Sequence, residues 1–544
     1  MTDSTGQTSL LSRIAAAFRD GRGPALWVLG TLVGVVAGYA TLALRMGISA
    51  VERTAFGVTE IHLASAASHL PAWRLILIPI AAGALVAGLL WLGRRWKLAP
   101  DMRGRGVADV IEARAVNAGR IDLRSGLYSA VMSAISLGGG ASAGREGPAV
   151  HLGATLAAAI GRQLGMPPRG SRILLACGAA AAVSASFNAP VAGALFAFEV
   201  VLGHYALRSM APVAAASIVG ALIVRHHFGQ DPVFGLPEMA AASVWDFPAA
   251  ALLGVAAAGL AILFNRGTLV LPARLGQWSE KAGFPIWLLP LPGGLLIGLM
   301  ALVAPEILGV GYEATSNALR GAYAFHQLIL FLVMKTIATI VSLGFRFAGG
   351  VFSPSLYLGA MLGAAFGFAL TALLGEQTAG SGFFAVIGMG AVSGAVLGAP
   401  LSTTLIVFEL TSSYEASVAV LLSVSLATVL TQSALGGSLF QLQVQRKGYD
   451  ISGGASRLVL QTVRVRDVLT PLDDWGKAEI LDKACVYEDD TLGRALGVLD
   501  AEQVDGAAVR ARGGEQDVIG WISKADAQAA YARRLAEISE EEHR

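Results

Sequence analysis

Residues 144–154, GREGPAVHLGA, return later in the chain as residues 350–360, GVFSPSLYLGA. Both read Gly, three residues, Pro, three residues, Leu-Gly-Ala, so the same glycine and proline break the same kind of helix start. Outward from them lies a second pair. Val183–Glu199, VSASFNAPVAGALFAFE, matches Val392–Glu409, VSGAVLGAPLSTTLIVFE, with one extra residue in the second copy. Two patterns recurring in one order point to an internal duplication. The competing reading is that small residues simply abound, with 66 glycines in the chain, and serve helix packing. That reading does not account for the shared order. Repeated halves with Gly/Pro-interrupted apolar segments at matching places mark a transporter whose site lies where the repeats meet, near the membrane midplane.

Composition agrees. Of 544 residues, 54% are hydrophobic and only 14% charged, and the mean hydropathy is +0.61, which describes an integral membrane protein and excludes a soluble enzyme. Apolar runs at Ala25–Leu44, Leu75–Leu92, Ala250–Leu263, Ile286–Val303, Leu328–Leu343 and Val418–Leu430 approach or reach the length of a membrane span. Such spans satisfy their own backbone, so an all-α polytopic fold is expected. The net charge of +2 argues against a nucleic-acid partner, since no basic tract stands out from short clusters such as Arg94, Arg95 and Lys97, which read as topology signals. Cys177 and Cys485 lie in such different contexts that neither a disulfide framework nor a metal site is expected. No cleavable signal opens the chain. Ser9–Phe18 reads instead as an amphipathic segment at the cytoplasmic surface, with Arg13 and Arg19 beside it.

This divides the chain into an N-terminal segment (1–24), a membrane part (25–448) with repeat halves at about 25–225 and 245–435, a linker (449–461), a polar α/β module (462–535) and a charged tail (536–544). Both termini are expected in the cytoplasm and the protein in the cell membrane.

Glu146 and Arg145 stand within this apolar part, and an ionisable side chain at membrane depth is a functional-site hypothesis. A helix N-terminus offers free N–H groups and about half a positive charge, so converging broken helices favour a desolvated anion. Glycine lets those amides approach the ion. The plain alternatives are that Glu146 caps a helix start and that Arg145 is a structural charge, paired or snorkelled.

GREGP at 144–148, GVFSP at 350–354, FNAPVAGALFAFE at 187–199 and GAPLSTTLIVFELT at 398–411 together resemble the CLC family of chloride channels and proton-coupled chloride exchangers, over roughly residues 25–448. The resemblance implies a homodimer with one anion pathway per subunit, tilted and partly spanning helices in two inverted halves, surrounding lipid, and no metal or organic cofactor. It implies that Glu146 is the external gating carboxylate. It further implies anion contacts from Gly144, Arg145 and Gly147, and from Gly350, Val351 and Phe352, with the Phe352 ring against the pathway or merely in the core.

Three departures stand out. At Gly104-Arg105-Gly106-Val107 the family commonly has Gly-Ser-Gly-Ile-Pro, so arginine replaces the anion-binding serine and Ala108 the proline. In SLFQLQVQRKG (438–448) Phe440 stands where a pore-facing tyrosine is usual. Both hydroxyl donors are therefore missing, and Arg105 is expected to supply the lost attraction at the inner mouth, unless its side chain turns to the cytoplasm. The exchangers' internal proton glutamate falls on Val200, and Glu199 beside it has a match of its own in channels and exchangers alike. A passive chloride channel follows, with a chloride/proton antiporter as the alternative and fluoride or nitrate as other candidate anions.

Residues 462–535 alternate strands and helices and resemble a single CBS domain, which would pair across the dimer if it pairs at all. That likeness implies adenine-nucleotide regulation, with Asp526 either a ribose contact or a helix cap. Two other classes of function meet obstacles in the sequence. An intramembrane hydrolase would need Ser142 and His151 to meet, without any nucleophile elbow; a sensor would leave the membrane part inert, against the intact gating motif.

Overall fold

The computed structural model describes residues 24–229, 234, 243–375, 378–452, 454–471, 484–512 and 518–543. The expected amphipathic segment at 9–18 lies outside them. The chain forms two compact units, one of Met1–His204 with Arg208–Leu442 and one of Tyr205–Leu207 with Gln443–Arg544.

In the first unit the first half runs through α1 (Pro24–Phe56), α2 (Leu63–Ser68), α3 (Ala72–Arg95), α4 (Val107–Ala115), α5 (Leu123–Gly138) and α6 (Glu146–Gln163). It continues with α7 (Pro168–Phe187), α8 (Pro190–Phe196, widening into π-turns to Leu202) and α9 (Leu207–Phe228). The second half holds α10 (Asp246–Ala282), α11 (Pro290–Ala301), α12 (Tyr312–Leu319), α13 (Phe325–Gly344) and α14 (Phe352–Leu374). It ends with α15 (Gly380–Leu397), α16 (Pro400–Thr411), α17 (Tyr414–Leu435) and α18 (Leu439–Gln445). Among the described residues, nine helices are long and apolar enough to cross a bilayer, so this is a multi-pass membrane protein. The run Ile286–Val303 is an exception. Its helix is only Pro290–Ala301, 12 residues, preceded by a tight turn at Ile286–Leu288, because Pro290 lacks the N–H that would continue the turn into the helix.

The duplication is visible in contacts that occur twice with the roles exchanged. Ser136 Oγ accepts the Ala348 N–H at 3.0 Å, and Ser342 Oγ accepts the Ser142 N–H at 3.0 Å. Gly144 and Gly350 exchange N–H to C=O bonds of 2.7 Å each, in an antiparallel bridge. A β-carbon on Gly153 would lie 2.4 Å from the Gly178 carbonyl oxygen, and one on Gly359 would lie 2.2 Å from that of Gly388. Those glycines let α6 press on α7, and α14 on α15, backbone to backbone. Glu199 and Glu409 complete the set: each carboxylate caps the N-terminus of the other half's short helix. Glu409 accepts Val191 N–H at 3.0 Å and Ala192 N–H at 2.8 Å. Glu199 accepts Leu401 N–H at 3.0 Å and Ser402 N–H at 2.8 Å. Two halves inverted about a pseudo-two-fold axis produce this pattern.

The second unit carries a four-stranded sheet, β1 (Thr470–Pro471), β2 (Cys485–Tyr487), β3 (Gly506–Arg510) and β4 (Val518–Ser523), in the order β1-β4-β3-β2. Pairing is parallel between β2 and β3 and antiparallel elsewhere. α20 (Leu492–Ala501), capped by the Thr491 hydroxyl, packs Leu492, Ala495 and Leu499 with Val486, Val509 and Ile522. Three expectations change. The linker holds a helix, α19 (Gly454–Thr462), which buries Val459. The stretch VRVRDVL (463–469) reads as the first strand, but Asp467 accepts the Arg464 N–H at 3.2 Å and makes a tight turn, which leaves only Thr470–Pro471 as β1. The charged tail is helical, since α21 runs from Lys524 to His543.

Candidate functional site

The bridge between Gly144 and Gly350 brings the N-termini of α6 and α14 face to face. Neither glycine amide is left for a ligand, because each bonds the other's carbonyl. That corrects their expected role as anion donors: they fix the distance between the two helix ends. Close approach is strict here, since a β-carbon on Gly147 would lie 3.1 Å from Gly350 Cα. Among the described residues, the amides of Glu146, Gly147, Val351 and Phe352 have no backbone acceptor, as the first-turn positions of their helices require.

Glu146 is 1% exposed and does not cap its own helix. Its carboxylate crosses to the other half. Ser353 Oγ donates to Oε1 at 2.5 Å, the Ser353 amide to Oε2 at 3.3 Å, and Tyr312 Oη to Oε1 at 2.9 Å. Arg145 Nε is 4.0 Å from the same carboxylate, and its guanidinium lies over the Tyr312 ring, 4.8 Å from the centroid. The Arg145 charge thus lies beside the carboxylate and over the Tyr312 ring. Arg145 also lines, with Thr41, Arg45, Ala149 and Ser186, a small cavity of about 10 Å³, room for about one water. Phe352 turns its ring into the core, with centroids 4.9 Å from Phe187 and 6.0 Å from Phe196, and Phe440 is likewise buried.

The loop at 104–107 is more committed than expected. The Arg105 amide donates to Ser129 Oγ at 2.8 Å, and the Gly106 amide to Asp109 Oδ2 at 2.8 Å, which leaves Val107 to open α4. Asp109 also pairs with Arg103 at 2.5 Å. Burial alone would lower the Arg103 pKa, but the carboxylates of Asp109, Asp101 and Glu112 together outweigh it and hold the group above its usual range. The Arg105 guanidinium is half-buried, with no ion pair among the described residues. Glu199 is committed to capping α16, and Val200 follows it in the π-turns, half-buried. Ser142 Oγ bonds Thr339 Oγ1 at 3.1 Å, and His151 lies inside α6.

Four residues of this neighbourhood escaped the reading of the sequence. Ser353 lies inside GVFSP and was legible as a hydroxyl next to the helix start. Tyr312, Ser129 and Asp109 belong to no repeated motif, and only the fold brings them to the site.

A sequence pattern described as the voltage gated chloride channel family matches residues 82–432, more than half of the chain. The chain belongs to that family, the CLC proteins. Over 390 residues this CLC chain is 34% identical to a ClcB-like chloride channel protein of Ralstonia nicotianae, covering 71% of this chain and 88% of that one. A slow cyanobacterial Cl⁻/H⁺ antiporter superposes with a TM-score of 0.68 at 23% identity, covering 78% of this CLC chain and 98% of its own. A eukaryotic CLC transporter gives 0.65 at 19% identity, covering 92% and 97% respectively. These two likenesses establish the fold of the CLC chain.

Proposed function

We propose that the protein carries chloride or a similar small anion across the cell membrane, through one pathway in each subunit of a homodimer, and that Glu146 gates it. The observation that carries this is the Glu146 carboxylate itself, held at the facing helix ends by the Ser353 amide and hydroxyl and by Tyr312. Donors arranged for one desolvated anion serve another. A carboxylate tethered in that seat therefore competes with the permeant ion, and leaving the seat opens the way.

Passive conduction is the favoured mode. Val200 carries no proton where an exchanger's acid would stand, and Glu199 is bound to three donors of Leu401 and Ser402. The antiporter reading keeps support from the fold shared with a Cl⁻/H⁺ antiporter. At the inner mouth Arg105 takes the place of a serine, and its charge replaces the missing hydroxyls of that position and of Phe440. Arg105→Ser is expected to weaken chloride binding by about tenfold, the worth of one charged hydrogen bond, in titration calorimetry. Unchanged affinity would remove Arg105 from the pathway.

Tyr312→Phe deletes one hydrogen bond to the seated carboxylate, worth about 1.5–3 kcal/mol for a charged acceptor. The gate should then leave its seat at least about tenfold more readily, read as faster chloride efflux from liposomes. The α/β unit is assigned as a CBS-like module with cytoplasmic termini. Ser523 Oγ accepts the Asp526 N–H at 3.0 Å and donates to Asp526 Oδ2 at 2.6 Å, so Ser523 caps α21 and holds the Asp526 carboxylate at its first turn. Chloride efflux from liposomes holding the purified chain tests the whole reading; intact vesicles that retain their chloride would refute it.

A further inference from the structure

We propose that Lys335 is a positioning residue for the gate: it clamps the turn at 307–311, and that turn aims the Tyr312 hydroxyl at Glu146. The inference rests on the transport reading above and adds a residue that no repeated motif contains.

The first observation is where the lysine stands and what its amine does. Lys335 lies midway along α13, in the apolar run Leu328–Leu343, and is fully buried. A cation at membrane depth is costly, and one that is kept there marks a functional site. Nζ donates to the Ile307 carbonyl at 2.8 Å and to the Gly309 carbonyl at 2.8 Å. Both residues are buried, and among the described residues neither carbonyl accepts a backbone N–H. Lys335 therefore satisfies two acceptors that would be costly to leave unpaired inside the membrane.

The second observation is the turn itself. Gly309 and Gly311 have left-handed φ values of 57° and 91°. A β-carbon on Gly311 would lie 2.7 Å from Tyr357 Cδ2 and 3.3 Å from Lys335 Nζ. The same amine lies over the Tyr357 ring, 5.1 Å from its centroid. Gly311 is thus packed against a ring and an amine, and its backbone is one that glycine suits.

The third observation is what the turn carries. Gly311 opens α12, its carbonyl accepting the Thr315 N–H at 3.0 Å and the Thr315 hydroxyl at 2.9 Å. Tyr312 comes next, and its Oη donates to Glu146 Oε1 at 2.9 Å. One residue on, the Glu313 carboxylate accepts the Ala64 N–H at 2.8 Å and the Ser65 N–H at 3.1 Å, which ties the helix start to α2. Tyr312 is fixed on both sides, by Lys335 before it and by Glu313 after it. Without the amine, the Ile307 and Gly309 carbonyls turn toward other donors, and the hydroxyl leaves the carboxylate.

The test is chloride efflux from liposomes holding the purified full chain, with Lys335→Met, Tyr312→Phe and the double variant beside the wild type. Methionine keeps the length and the apolar stem but donates nothing. Lys335→Met should speed efflux by about tenfold, as Tyr312→Phe does, because both lose the same charged hydrogen bond. The double variant should be no faster than Tyr312→Phe alone, since residues that act through one contact do not add. Should Lys335→Met aggregate in size exclusion, Lys335→Gln, which keeps an N–H for one carbonyl, carries the same comparison. Wild-type efflux in a folded Lys335 variant would overturn the proposal. So would an equal fold-change with and without the Tyr312 hydroxyl, which marks a residue that acts without it. If Tyr312→Phe itself left efflux unchanged, the seat at Glu146 would fail, and the proposal with it.

Discussion

Glu146→Gln should conduct chloride at a rate that no longer depends on external pH. The wild-type carboxylate is held by two hydroxyls and one amide of the other half, each bond strengthened by the negative charge. Glutamine has nearly the same shape, but its seat is neutral. Each charged hydrogen bond is worth about 1.5–3 kcal/mol against about 1 for a neutral one, so losing the charge shifts the seated-to-open balance by about tenfold or more. The donors are then left to the permeant anion. Stopped-flow chloride efflux at several external pH values reads both effects at once. A variant as slow and as pH-dependent as the wild type would mean that the gate is another group.

Gly359→Val is expected to prevent the chain from folding. A β-carbon there would lie 2.2 Å from the Gly388 carbonyl oxygen and 2.7 Å from its carbon, which are backbone atoms of a helix buried from Phe383 to Leu397. Nothing flexible can give way, so α14 and α15 must separate, and α14 carries Phe352 and Ser353 at its start. Overpacking typically costs 1–3 kcal/mol, and a clash with backbone belongs at or above about 3 kcal/mol. Gly259→Val is the control, because a β-carbon there meets nothing within 4 Å on exposed helix surface. Fluorescence-detected size exclusion with a thermal ramp compares them: Gly259→Val should match the wild type and Gly359→Val should aggregate. A normal profile for Gly359→Val would mean that the two helices do not meet at their glycines.

The duplication was legible because the helix ends that meet at the site carry their glycines and prolines in sequence, at GREGP and GVFSP. The spans at α7, α9, α14 and α15 were harder to see, since serine, glycine and proline dilute the apolar runs that mark a span. At the site, a motif reveals which residues open a helix but not how each amide is spent. Gly144 and Gly350 consume one another's donors, and the Arg105 and Gly106 amides go to Ser129 and Asp109. Glu199 beside Val200 had a match of its own but no legible task; its work of capping α16 depends on a helix about two hundred residues away in sequence. Tyr312 had no signal at all, because a lone tyrosine after a glycine belongs to no pattern, and only the turn at Gly311 delivers its hydroxyl to Glu146. In the second unit the order of strands and helices was readable, whereas the boundaries moved where a single carboxylate, Asp467, favoured a turn over a strand.

The most direct test of passive, Glu146-gated anion conduction is simultaneous recording of chloride and pH in liposomes holding the wild-type chain, with a chloride gradient imposed at equal pH. The account predicts chloride efflux with no uphill movement of protons. Protons driven against their gradient by chloride would contradict it and show an exchanger whose proton route bypasses Val200.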